Sequence, residues 1–151
     1  MKKKRTPKTL PIPEDMKVLE EKPPIYKSVC QFLGYKDVQA FFTYGDTIYN
    51  PAKLQITGDV VVHEKLHMKQ QTDGDMTPAL WWGKFLRDPQ FRIDQEAKAY
   101  GAQLRALKTI KKDRNEQTRI LHRLALILAG DLYGNAIDYG SAMLLIKSYS
   151  N

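Results

Sequence analysis

The sequence predicts an α+β fold, mostly helical, with a small β-hairpin or sheet ahead of a helix that carries His63-Glu64-Lys65-Leu66-His67. Three observations predict it. Apolar residues recur at helical spacing through most of the chain after Ile25. Aromatic and β-branched residues gather in one short stretch, Phe41 to Tyr49, around a Gly45-Asp46 turn. With 151 residues, 42% hydrophobic and 27% charged, the chain has an ordinary globular balance and the length for one core.

The charge is unevenly spread. The net charge is +7, of which Lys2, Lys3, Lys4, Arg5 and Lys8 supply +5, leaving +2 for everything else. Residues 1–13 also hold Pro7, Pro11 and Pro13, so they read as an extended arm. Pro23-Pro24 stops any helix there. We divide the chain into a basic, proline-containing arm, 1–24, and a single domain, 25–151. The arm reads first as a solvated tail, and otherwise as a contact for a virion or acidic protein partner or for an anionic membrane surface. Nucleic acid is a weak expectation, because no binding motif accompanies the charge.

In the domain, apolar positions 25, 26, 29, 32 and 33 predict a helix from Ile25 to Leu33, ended by Gly34. Cys30, the one cysteine, reads as a packing residue and excludes an internal disulfide. Gln39 to Pro51 predicts a hairpin, with Pro51 marking an edge strand or its end. An exposed edge beside the His-Glu helix would suit pairing with an extended peptide. That helix should run from Gly58-Asp59 to Gln71, capped by Thr57 or Asp59, and break at Asp73-Gly74-Asp75. Thr77-Pro78 opens the next, with Trp81 and Trp82 unable to face the same way. Asp88-Pro89 separates it from a long helix, about Gln90 to Lys111. After the polar break at Asp113-Arg114-Asn115, another runs to about Ala129, with His122 among apolar residues. Gly130, a turn at Tyr133-Gly134-Asn135 and a short helix from Ser141 to Lys147 complete the chain.

The chemistry gathers at His63 and His67. Residues at i and i+4 share a helix face, so two imidazoles can meet one metal ion. Glu64, beside the first, can act as general base on a metal-bound water. A catalytic zinc site needs a third protein ligand and one open position. A third histidine in the metzincin pattern is excluded, because the required positions hold Gln70 and Asp73. The acids downstream and His122 remain. Glu96 and Asp94 stand two apart, about 200° around a helix, so only one can face the metal. Ala97 and Tyr100 give Glu96 a partly apolar face, and the small Ala97 and Ala99 allow close helix approach. Asp94 has its own reason to be near the helix start, and His122 reads as a packed histidine. Tyr100, one turn after Glu96, can hydrogen-bond a ligand or stabilise an oxyanion.

His63-Glu64-Lys65-Leu66-His67 followed by Glu96 on a second helix resembles the gluzincins. The short length resembles their minimal forms, the minigluzincins, and small zincin-like proteins encoded by phages. Gly45-Asp46-Thr47-Ile48-Tyr49, Phe85-Leu86-Arg87-Asp88-Pro89-Gln90-Phe91-Arg92 and Leu132-Tyr133-Gly134-Asn135 add to the phage likeness, which spans about residues 39 to 140. The resemblance implies a minimal zincin-like fold and a zinc peptidase, with Zn2+ bound by His63, His67 and Glu96 and water activated by Glu64. It also implies a small sheet whose edge receives a peptide or protein substrate. Two departures stand out: Tyr100 occupies the place of an aspartate in thermolysin-like enzymes, and only His122 is left to serve as their separate oxyanion histidine.

The rival expectation is a structural or interaction protein, such as a phage virion component, with the zinc site vestigial or structural. Arg105, Lys108, Lys111, Lys112 and Arg114 lean toward it, and an intact Glu64 leans toward the enzyme. With no apolar leader at the N-terminus and no apolar run of membrane-spanning length, the sequence predicts a cytoplasmic or virion-associated protein.

Overall fold

The computed structural model describes residues 9–151. Lys2, Lys3, Lys4, Arg5 and Lys8, the basic cluster of the arm, lie outside them. The described chain is a mostly helical α+β domain with one small sheet. No helix among the described residues is long and apolar enough to cross a membrane.

The hairpin forms around the predicted turn. Strand β2, Phe42–Tyr44, pairs antiparallel with β3, Thr47–Tyr49, and Gly45 turns the chain at φ 65°. A two-residue β-turn of this hand needs positive φ, which glycine adopts without a Cβ clash. The residues assigned to the arm do not all stay apart. Val18–Leu19 forms a strand, β1, parallel to β3, with Ile48 N–H donating to Lys17 C=O at 2.9 Å and Asn50 N–H to Leu19 C=O at 2.7 Å. Part of the arm therefore contributes to the sheet. Two apolar residues are too few for periodicity to register. They become a strand because β3 would otherwise leave a row of backbone groups unpaired. The strand order is β1-β3-β2, so β3, which ends before Pro51, is central and β2 is an edge.

Helix α1, Tyr26–Leu33, ends at Gly34 in the left-handed conformation and buries Cys30. Helix α2, Gly58–Gln71, follows the loop after the hairpin. A Cβ on Gly58 would run into the Leu10 carbonyl, so the arm crosses the start of α2 at a residue without a side chain. Helix α3, Pro78–Arg87, has Thr77 as N-cap, its hydroxyl accepting from Leu80 N–H. Asp88 then caps α4, Pro89–Lys108, by accepting from the N–H groups of Gln90 and Phe91. This matches the physical role of a short acceptor side chain at an N-cap. Helix α5, Arg114–Leu128, is capped by Asp113, and α6, Tyr139–Tyr149, by Asp138. The last helix is longer than Ser141–Lys147 at both ends. Asp138 starts it two residues earlier, and Tyr149 is held by packing against α4.

α4 is the centre of the domain, with contacts to α2, α3, α5 and α6. Close approach is built into its sequence. Ala97 and Ala99 are fully buried, and a Cβ on Gly101 would come within 2.5 Å of Tyr149 Cβ on α6. Trp81 and Trp82 are both buried but diverge. Trp81 stacks on Phe85 and donates its Nε1–H to Gln95 Oε1 at 2.8 Å, whereas Trp82 donates to Thr43 C=O at 2.9 Å. One tryptophan thus ties α3 to α4, and the other ties α3 to the sheet.

Candidate metal centre

Two helix faces build the site. On α2, Asp59, His63 and His67 recur every four residues. On α4, Glu96, Tyr100 and Gln103 follow at four and three. Each set therefore lies along one face, and the packing of α2 on α4 brings the two faces together. His63, His67 and Glu96 are all buried and converge. His63 Nε2 and His67 Nε2 are 3.1 Å apart. Glu96 Oε2 lies 3.1 Å from His63 Nε2, and Oε1 lies 3.2 Å from His67 Nε2.

The far nitrogens are also engaged. His63 Nδ1 meets Gln103 Oε1 at 3.0 Å, and His67 Nδ1 meets Gln70 Oε1 at 2.7 Å. An amide oxygen only accepts, so both Nδ1 atoms carry hydrogen and neutral rings present Nε2 lone pairs to each other. Two lone pairs and a carboxylate aimed at one point repel unless a cation sits among them. Glu96 Oε2 points the same way: it is buried and makes no aligned hydrogen bond. Ligand atoms about 2.0–2.1 Å from a tetrahedral zinc stand about 3.3–3.4 Å apart. The observed separations are close to that, so the donor set fits a zinc ion. His, His and carboxylate are also ordinary zinc donors.

Electrostatics describe the same point without the ion. Burial disfavours the charged form of His67, but the Glu96 carboxylate beside it, helped by Glu64 and Gln70, outweighs burial and raises it to about 9. Burial likewise opposes ionisation of Glu96, yet His67 and His63 hold its carboxyl well below the usual range. The cluster demands positive charge, from a proton or from a metal.

Around it lies a cavity of about 450 Å³. Phe42, Trp82, Phe85, Leu124 and Ile127 supply apolar wall, and His63, Glu64, His67 and Glu96 line the same space. Glu64 is buried, and its Oε2 accepts from Thr43 Oγ1 at 2.6 Å. The Tyr100 ring packs 4.4 Å from that of His63, and its hydroxyl meets Tyr133 Oη at 2.7 Å. Burial first, and the negative Glu96 second, push both phenols well above their ordinary range, so both keep their protons.

The two other candidate ligands point elsewhere. Asp94 accepts from Tyr149 Oη at 2.7 Å and pairs with Lys98 Nζ at 3.0 Å, toward α6. His122 is exposed and bonded to Tyr139 Oη at 2.6 Å, so it neither packs in the core nor reaches the histidines. The oxyanion role left open for it has no geometric basis.

Four contributors were not singled out by sequence: Thr43, Gln70, Gln103 and Tyr133. Gln70 lies one turn after His67, and Gln103 two turns after Glu96, so helical spacing carries a signal for both. Thr43 and Tyr133 arrive from distant elements, and no local pattern marks them. Tyr133, on a 3-10 helix at Asp131–Tyr133, is held by Arg92, whose Nε donates to its carbonyl at 3.0 Å while Nη1 donates to Phe85 C=O at 2.7 Å.

No protein-family model matches the chain, and neither a characterised protein nor a solved structure matches it.

Proposed function

We infer that this chain is a zinc-dependent peptidase, with His63, His67 and Glu96 as metal ligands and Glu64 as general base. The observation that carries the reading is the buried His63–His67–Glu96 triangle opening onto a cavity that Glu64 also lines. Among the described residues the cluster has three protein ligands, the number of a catalytic site; structural zinc sites are usually closed by four. A zinc ion bound there would supply Lewis acidity, polarising a carbonyl and acidifying water.

The chain's own residues account for the rest. Thr43 fixes one oxygen of Glu64 and leaves Oε1 without a hydrogen bond among the described residues. Glu64 can therefore take a proton from water and return it to the departing amine. The Tyr100–Tyr133 pair shares one hydrogen bond between two hydroxyls, so one O–H remains to donate. Tyr100 and Tyr133 both border the cavity, so whichever hydroxyl does not donate within the pair is placed to donate to a developing oxyanion. The apolar walls exclude water and suit an apolar side chain of a peptide.

The test has two steps. Metal analysis of purified protein should find one zinc ion per chain. Glu64→Gln should keep that zinc and lose roughly 10²–10⁴-fold of peptide hydrolysis, the usual weight of a general base. Equal cleavage of a peptide library by wild type and variant would refute the assignment of Glu64. Zinc without cleavage in the wild type would refute the peptidase and favour a structural zinc site.

A further inference from the structure

We propose that Asp59–Gln103 and Gln95–Gln70 are two positioning relays that fix the protons of His63 and His67, and so select Nε2 of each ring as the metal-binding atom. The proposal rests on the metal reading above, and it concerns residues that act on the metal through the two histidines.

The argument runs outward to inward along each relay. Gln103 Nε2 donates to Asp59 Oδ2 at 2.8 Å. An ionised carboxylate only accepts, so the amide of Gln103 cannot turn over without setting two oxygens face to face. Its Oε1 must then face His63 Nδ1, at 3.0 Å. That oxygen also only accepts, so Nδ1 must carry the hydrogen. The lone pair of the neutral ring is left on Nε2, pointing at Glu96 and His67.

The second relay reaches the same result independently. Gln70 Nε2 donates to the backbone carbonyl of Gln95 at 3.1 Å. A carbonyl cannot donate, so Gln70 Oε1 faces His67 Nδ1, at 2.7 Å. The Gln95 side chain is itself held by Trp81 Nε1 at 2.8 Å. Both relays cross from α2 to α4. They use neutral amides next to the rings, so they orient the histidines without adding negative charge at the ligands. A carboxylate in that place would raise ligand basicity instead.

Zinc affinity of the full-length protein, measured by competition with a chelator, tests this. Gln103→Leu, Gln70→Leu and Asp59→Leu should each weaken zinc binding about 10–100-fold, the usual effect of losing such a partner. Asp59→Asn should bind zinc almost as tightly as wild type, because its amide oxygen still accepts from Gln103. Nitrogen-15 spectra of the histidine rings separate orientation from mere helix packing. In metal-free wild type, the neutral His63 ring should carry its proton on Nδ1; in Gln103→Leu it should revert toward the Nε2–H form that free imidazole side chains favour.

Undiminished affinity in Gln103→Leu and Asp59→Leu, or a neutral His63 protonated on Nε2 in the wild type, overturns the relays. Wild type that takes up no zinc overturns the metal reading by itself. The His63 tautomer still decides the relay in that case, and it needs no variant that might fail to fold.

Discussion

Metal-free protein should lose stability between pH 6.5 and 9.5, and Glu96 should be the cause. Without a cation, burial disfavours a charged His67, but the Glu96 carboxylate 3.2 Å away outweighs it and lifts the imidazole to about 9. In the unfolded chain the value returns to about 6.5. A folded-state value above the unfolded one gives stability that is complete below about pH 6.5 and is lost as pH rises through 9. A rise from 6.5 to about 9 corresponds to about 3 kcal/mol at most. The depressed Glu96 reports the same contact from the other side, lost toward acid pH, and is not counted again. The assay is urea unfolding of chelator-treated protein at pH 6.5 and 9.5, for wild type and Glu96→Gln. Wild type should fall by up to about 3 kcal/mol, and the variant, with no carboxylate to hold the proton, should show little of that fall. Other groups that titrate in this window are common to both proteins, so the difference between the two declines is the readout. An equal decline in both would refute the reasoning. Zinc should reverse the trend, because it must displace the His67 proton. Apparent zinc affinity should therefore climb with pH until about 9.

Two further outcomes follow from the site's edges. Thr43→Val removes the hydroxyl held 2.6 Å from Glu64 Oε2 and keeps the side-chain shape. A hydrogen bond to a charged group is worth about 1.5–3 kcal/mol, so kcat/KM should drop about 10–100-fold while zinc content stays unchanged; a drop in zinc content would place Thr43 in metal binding instead. Asp94→Ala and His122→Ala should leave zinc affinity at the wild-type level, because both side chains bond away from the cluster. Asp94→Ala should cost about 1 kcal/mol on urea unfolding, from its partly exposed bonds to Tyr149 and Lys98.

What the sequence made legible was local. The spacing of His63 and His67, the cap at Thr77 and the breaks at Asp88-Pro89 and Asp113-Arg114-Asn115 are statements about neighbours within one or two turns, and the structure contains the elements they predict. The choice between Asp94 and Glu96 was legible for the same reason: only one can share a face with Tyr100. What depended on distant partners was not legible. β1 exists because β3 pairs with it across α1, and Tyr133 reaches the site because the buried Arg92 holds its carbonyl. His122 misled for a different reason. It lies among apolar residues, but α5 leaves Leu126 and Ile127 partly exposed, so apolar neighbours there do not mean core. Gln70 and Gln103 stood at informative positions, yet amides are common on any helix face, and only their partners reveal their role.

Thr43 is where these two kinds of information meet. Its side chain holds Glu64, and its carbonyl accepts from both Gln71 Nε2 at 2.8 Å and Trp82 Nε1 at 2.9 Å. Gln71 Oε1 in turn accepts from Gly45 N–H at 2.8 Å. The fully buried Gln71 amide thus pairs with the outer side of β2 much as a neighbouring strand's peptide group would. This changes the expectation of an open edge. At its turn end β2 is already paired, so a substrate backbone could add to it only from Thr43 N–H toward Phe41. It also explains how a three-residue strand can position Glu64, the proposed general base. Thr43 ties the hairpin to both α2 and α3, and Gly45 adds a second bond to α2, so a change that shifts β2 acts directly on Glu64 through Thr43.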